Sequence, residues 1–134
     1  MKKYKVTVKK NADRAIVTSH GFTSQFGAKS GDQSIGLNAT EVLLGAFGTC
    51  LLTNINAIAR KMHITIFELS LDISCVRIEK PPSISEISFK LRINCNGTDK
   101  QIEKLVGLSM EYGTVTNTLL KGTRIINKGV EREE

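Results

Sequence analysis

Asn38-Ala39-Thr40-Glu41-Val42-Leu43-Leu44-Gly45-Ala46-Phe47-Gly48-Thr49-Cys50 opens the longest helix that the sequence predicts, over about residues 39–62. Asn38 is a strong N-cap. Glu41, three residues later, completes a capping box, in which each side chain bonds the other residue's backbone N–H. On a wheel of about 100° per residue, Leu43, Ala46, Phe47, Cys50, Asn54 and Ala57 share one face. Leu44, Gly48, Leu51, Ile55, Ile58 and Ala59 widen that face, and only a wedge with Thr49, Thr53, Asn56 and Arg60 is clearly polar. A helix apolar over most of its circumference is buried on several sides. In a chain of 134 residues this predicts a central helix, or one shared with a partner subunit. His63 is expected to end it, where a cation is favoured.

Upstream, residues 2–10 and 14–20 read as a hairpin turning at Asn11-Ala12-Asp13. Tyr4, Val6 and Val8 alternate with Lys3, Lys5, Thr7 and Lys9, the pattern of a strand with one solvated face. A short third strand is predicted at Thr23–Phe26. Residues 27–37, rich in Gly, Ser and Asp, read as a loop. Downstream, Phe67, Leu69, Leu71, Ile73 and Cys75 alternate with polar residues, as do Ile87, Phe89, Leu91, Ile93 and Cys95. Both runs are half-buried strands, joined through Pro81-Pro82. A hairpin folded there sets Cys75 opposite about Ser88 and Cys95 opposite about Glu68, too far apart to bridge.

A second helix is predicted from Thr98, with Gln101 completing another capping box and Ile102, Leu105, Val106, Ser109 and Met110 facing inward. Gly113 breaks it. As a helix terminator Gly113 would take positive φ, where a side chain is penalised. A short turn of helix is expected over Val115–Leu120, ended by Lys121-Gly122, then a last strand over Thr123–Asn127. The tail Glu131–Glu134 reads as frayed. Strands that follow one another directly make this an α+β fold with antiparallel sheet. With no repeat, linker or low-complexity tract, the expectation is one domain over residues 1–134.

Composition narrows the function. Hydrophobic residues make up 40% of the chain, as in soluble globular proteins. No run approaches the roughly 20 apolar residues of a membrane span, and the N-terminus has no signal-peptide pattern. Three cysteines without an export signal predict reduced thiols in a cytoplasm. The net charge of +6 comes from 19 Lys and Arg against 13 Asp and Glu. The excess is concentrated in the N-terminal strand, where it serves a solvated face. No zinc-finger, RNA-binding or helix-turn-helix pattern accompanies it, so the expectation is no nucleic-acid partner. His20 and His63 lack metal-ligand spacing, Gly31 and Gly36 lack a phosphate-loop pattern, and no cofactor or metal is expected.

Cys50 is the informative residue. A free cysteine amid apolar residues is most often a small buried hydrophobe. As a reactive thiol in mid-helix it would need a cationic partner, because the positive helix end is remote. Arg14, Lys29 and Arg60 are the candidates by sequence. Arg60 lies ten residues on, about 15 Å along the helix, so the cation must come from a loop or another subunit. Glu41 could serve as a catalytic carboxylate, but at nine residues from Cys50 it faces away, about 13 Å along the axis, and the capping role is favoured. Cys75 and Cys95 read as sheet core.

The segment Asn38–Cys50, the strand pair Ile66–Cys95 with its Pro-rich turn, and Thr98–Leu120 together resemble the OsmC/Ohr family of osmotically inducible and organic hydroperoxide resistance proteins. The likeness spans about residues 1–127. It implies an OsmC-like α+β fold in an intertwined homodimer with the long helices at its centre. It implies that Cys50 attacks a hydroperoxide, and that Arg14 matches the activating arginine. The family's second motif, Cys-Pro-Val-x-x-Thr-Leu, falls on Gly113-Thr114-Val115-Thr116-Asn117-Thr118-Leu119. Val115, Thr118 and Leu119 match, while Gly113 replaces the second, resolving cysteine. The family proline before the helix is Ala39. The glutamate that the hydroperoxide branch carries ten residues before its first cysteine is Thr40, whereas Glu41 fits the broader pattern. The resemblance thus implies a one-cysteine, thiol-dependent hydroperoxide reductase acting in oxidative stress, on a small hydroperoxide or thiol ligand. The alternative is a non-catalytic dimer that binds a small ligand or senses oxidants through Cys50.

Overall fold

Both capping boxes form. In the computed structural model, which describes residues 1–133, the Asn38 N–H donates to Glu41 Oε1 and the Glu41 N–H to Asn38 Oδ1, each at 2.9 Å. They start α1, Ala39–Lys61. Thr98 and Gln101 do the same for α2, Asp99–Glu111. The end of α1 has a conformational cause beyond charge. His63 takes φ 57°, its N–H reaches Arg60 O at 3.2 Å, and the Ile64 N–H reaches Ala59 O at 2.8 Å. That is a Schellman closure with His63 in the left-handed place usually held by glycine.

Five strands complete the α+β fold with α3, Thr114–Lys121: β1 Thr7–Asn11, β2 Arg14–Ser19, β3 Phe22–Gly27, β4 Ile66–Glu79 and β5 Pro82–Cys95. β1, β2 and β3 form an antiparallel sheet in that order, with Thr7 opposite Thr18 and Arg14 opposite Gly27. The β2–β3 turn is His20-Gly21, both at positive φ, as a tight primed hairpin turn requires. β4 and β5 pair as a second, two-stranded hairpin.

The chain divides into two compact units, Met1–Ala46 with Ile73–Phe89, and Phe47–Asp72 with Lys90–Glu134. In the first unit the sheet packs no apolar side chain out of solvent fully; Ala15, Ile16, Val17 and Phe26 are half-buried. The buried apolar core lies in the second unit: Phe47, Leu51, Ile55, Ala59, Ile64 and Leu105. The α1 members, Phe47, Leu51, Ile55 and Ala59, recur every four residues, so one stripe of the helix is covered.

Several expectations need correction. The first strand begins at Thr7 and not at residue 2, because β2 ends at Ser19 and offers no ladder partner further on. β1 is an edge strand exposed on both faces, Val8 included. The expected strand Thr123–Asn127 does not form. Ile125 is 92% exposed, and β-propensity without an adjoining edge makes no strand. α1 is apolar enough by length and composition to cross a membrane, a property shared by core helices. Only part of its apolar arc is buried within the chain, with Leu43, Gly45, Ala46 and Ala57 exposed. The hairpin turns two residues from the expected register. Asn96 N–H meets Thr65 O at its open end, which sets Cys95 near Ile66. Phe67, expected inside, is 63% exposed. All three cysteines are free, as the separation of Cys75 and Cys95 requires. Of the tail, Glu131–Glu133 has no regular structure, and Glu134 lies outside the described residues.

Candidate active site around Cys50

Cys50 stands half-buried on α1, next to the buried Leu51 and one turn before Asn54. Asn54 fixes α1 to α2: its Nδ2 donates to Ser109 O at 3.2 Å. Ser109 is fully buried and returns its hydroxyl to Leu105 O at 2.7 Å. Leu105 and Leu51 both bury completely, so Cys50 adjoins apolar core, and one amide ties α1 to α2.

α2 ends at Glu111, and the chain turns a corner into α3 at Gly113. Asn117 holds the corner, its N–H bonding Gly113 O at 2.9 Å and its Nδ2 bonding Glu111 O at 3.1 Å. Gly113 is the N-cap of α3, with φ −77° and ψ 123°. The positive φ of a helix terminator is therefore absent: the residue caps a new helix with extended backbone, a conformation open to any amino acid. What restricts the position is space. A Cβ on Gly113 would stand 2.7 Å from Thr116 Oγ1 and 3.4 Å from Cys50 Sγ. Gly113 and Thr116 are both buried. The corner thus brings the start of α3 against the Cys50 sulfur.

The other sequence candidates lie elsewhere. Glu41 caps α1, and Arg14 begins β2 opposite Asn11 and Gly27. Both belong to the first unit, as does Lys29, so within the second unit none of them surrounds Cys50. Among the described residues the ion pairs are Arg77–Glu79 and Arg92–Asp72, on the hairpin. In the loop before α1, the Ser34 hydroxyl and N–H hold the exposed Asp32 carboxyl below the usual carboxylate range. Thr116 was missed from sequence. Its signal is position: third in a helix whose cap has no side chain.

A family model described as OsmC-like protein matches residues 30–127. The chain belongs to the OsmC-like family. Solved structures agree with the fold. An OsmC-like protein from Mycoplasma pneumoniae is 22% identical, with TM-score 0.82 over 90% of this chain and 89% of the other. A hypothetical protein from Aquifex aeolicus is 23% identical, with TM-score 0.79 over 92% and 91%. The organic hydroperoxide resistance protein OhrB of Bacillus subtilis is 18% identical, with TM-score 0.61 over 90% and 92%. No functionally curated protein matches in sequence. The OsmC-like fold accounts for α1 as a core helix rather than a clear membrane span.

Proposed function

We propose that this OsmC-like protein is a homodimeric, single-domain redox protein of the cytoplasm that reduces small organic hydroperoxides through Cys50 alone. One observation carries the reading. The start of α3 meets the Cys50 sulfur at the position where a two-cysteine relative would need its second thiol, and Gly113 leaves that position without one. The names of hydroperoxide resistance relatives support the substrate class. In the step, the Cys50 thiolate bonds to the terminal peroxide oxygen as the O–O bond breaks. Sulfur gives up two electrons, and the alkoxide leaves and takes a proton from solvent. The resulting sulfenic acid waits for an external thiol, since no resolving sulfur adjoins it. Arg14 is the proposed activating cation, brought to the thiolate in the assembled dimer, and Glu41 acts as a cap.

The wild type should consume cumene hydroperoxide in the presence of a dithiol, and Cys50→Ser should fall to the rate of buffer. At about pH 6–7 an alkylating probe should label Cys50 well ahead of Cys75 and Cys95, because the thiolate is the reactive form. Three equally slow thiols would overturn the redox reading. The absent resolving thiol favours one second reading, an oxidant sensor or ligand binder; labelling at Cys50 without turnover would select it.

The dimer rests on uncovered apolar surface. Leu43, Phe67, Val76, Ile78 and Leu120 are exposed in the single chain, on α1, the hairpin and α3. A second copy is the occupant that the half-covered α1 arc fits, since the arc continues the helix's own buried stripe. Sedimentation at micromolar concentration should give about twice the 14.7 kDa chain mass. A folded monomer at that concentration would remove the proposal.

A further inference from the structure

The Thr116 hydroxyl is the one oddity of the Cys50 corner. Thr116 is 2% exposed, and its Oγ1 is buried without a hydrogen-bond partner among the described residues. Other helical hydroxyls are served by the carbonyl one turn back: Thr53 by Thr49 O, Thr118 by Thr114 O and Ser109 by Leu105 O. For Thr116 the residue one turn back is Tyr112, which lies before α3 begins. A capping side chain would be the next recourse, and Gly113 has none. The burial is complete within the chain, so neither bulk water nor a second copy reaches the oxygen. Buried hydroxyls are rarely left this way, and each instance calls for a cause.

The gap it faces supplies one. A Cβ on Gly113 would stand 2.7 Å from Thr116 Oγ1, too close for a carbon but a hydrogen-bond distance for an oxygen, and 3.4 Å from Cys50 Sγ, so hydroxyl and sulfur border the same narrow space. In the reduced protein the two make no hydrogen bond. An oxygen carried by the sulfur on that side would enter the gap and meet the hydroxyl.

We propose that Thr116 is the hydrogen-bond donor for the oxidised thiol: its O–H donates to the sulfenic oxygen on Cys50, held in the gap that Gly113 leaves. This rests on Cys50 being the thiol oxidised by a hydroperoxide, as proposed above. The oxygen is the one transferred from the peroxide in that step, and the sulfur has already given up its two electrons. The bond is absent before oxidation and present after it. The oxidised state thereby gains a partner for a hydroxyl that the reduced state leaves unpaired.

Thr116→Val removes the hydroxyl at nearly constant shape, and Thr116→Ser keeps it. Each protein takes one equivalent of cumene hydroperoxide. Dimedone trapping with peptide mass mapping reports the sulfenic acid, and thermal unfolding is recorded before and after oxidation. In the reduced state Thr116→Val should unfold at or above the wild-type temperature, because no bond is lost. On oxidation the wild type and Thr116→Ser should gain about 3 °C or more relative to Thr116→Val. Equal shifts in all three would overturn the role of Thr116. So would a reduced Thr116→Val that is less stable than wild type or fails to fold, since the hydroxyl would then already be bonded. A wild type with no dimedone adduct at Cys50 would instead overturn the redox reading, and the inference with it.

Discussion

Leu51→Ala should lower the unfolding free energy by about 3–5 kcal/mol and the melting temperature by about 10–20 °C. Leu51 is 0% exposed at the middle of α1, and Leu105 of α2 is likewise 0% exposed. Removing buried methyl groups forfeits their transfer energy and leaves a cavity that the surrounding core closes only in part. Against a typical stability of roughly 5–15 kcal/mol the loss leaves little reserve. Chemical denaturation with an unchanged slope is the measurement. A loss below about 1 kcal/mol would mean that Leu51 does not sit in a tightly packed core.

Gly113→Cys should change the chemistry most. Across a disulfide, the Cβ of one residue lies about 3 Å from the sulfur of the other, as bond lengths near 2 Å dictate. The Cβ position on Gly113 lies 3.4 Å from Cys50 Sγ, within a few tenths of an ångström of that requirement. The backbone at φ −77° accepts a side chain without strain. The obstacle is Thr116, whose Oγ1 and Cβ would stand 2.7 and 3.0 Å from the new Cβ. Such overpacking costs about 1–3 kcal/mol, which leaves the variant folded. Treated with an organic hydroperoxide, the wild type should stop at a dimedone-trappable sulfenic acid. The variant should instead form a disulfide between Cys50 and the introduced thiol, and resist overoxidation to sulfinic acid. Intact mass and peptide mapping distinguish them. A folded variant without the disulfide, alongside a trappable wild type, would mean that the corner does not hold the two sulfurs as the geometry indicates.

Local rules made much of this legible. Caps are short-range chemistry, so Asn38 with Glu41 and Thr98 with Gln101 marked both helix starts, and Gly122 the end of α3. Alternation marked β4 and β5. What sequence could not supply were relations set by partners at a distance. The tail residues Thr123–Asn127 have strand composition but pair with no strand. Phe67 keeps the alternation yet is exposed, because a strand's period cannot say whether anything covers the face. Gly113 was read as a terminator because a glycine after a helix commonly is one. Its actual role, capping the next helix against Cys50, depends on α2 and α3 meeting at a corner. Thr116 carried a weaker signal still. Its missing partner becomes visible only when the third position of α3 and the bare cap are seen together.

The uneven distribution of buried side chains ties this protein's behaviour to its abundance. With the apolar core confined to one unit and apolar faces open on α1 and the hairpin, the proposed dimer would bury surface that the lone chain leaves in water. By mass action, dilution would weaken the proposed dimer. Arg14 and Glu41 belong to one unit and Cys50 to the other. In a cell making few copies, Cys50 would then lack the groups that the proposed dimer is to bring to it. Peroxide chemistry would then scale with more than the first power of chain concentration, so that raising expression under stress would switch the site on as well as multiply it.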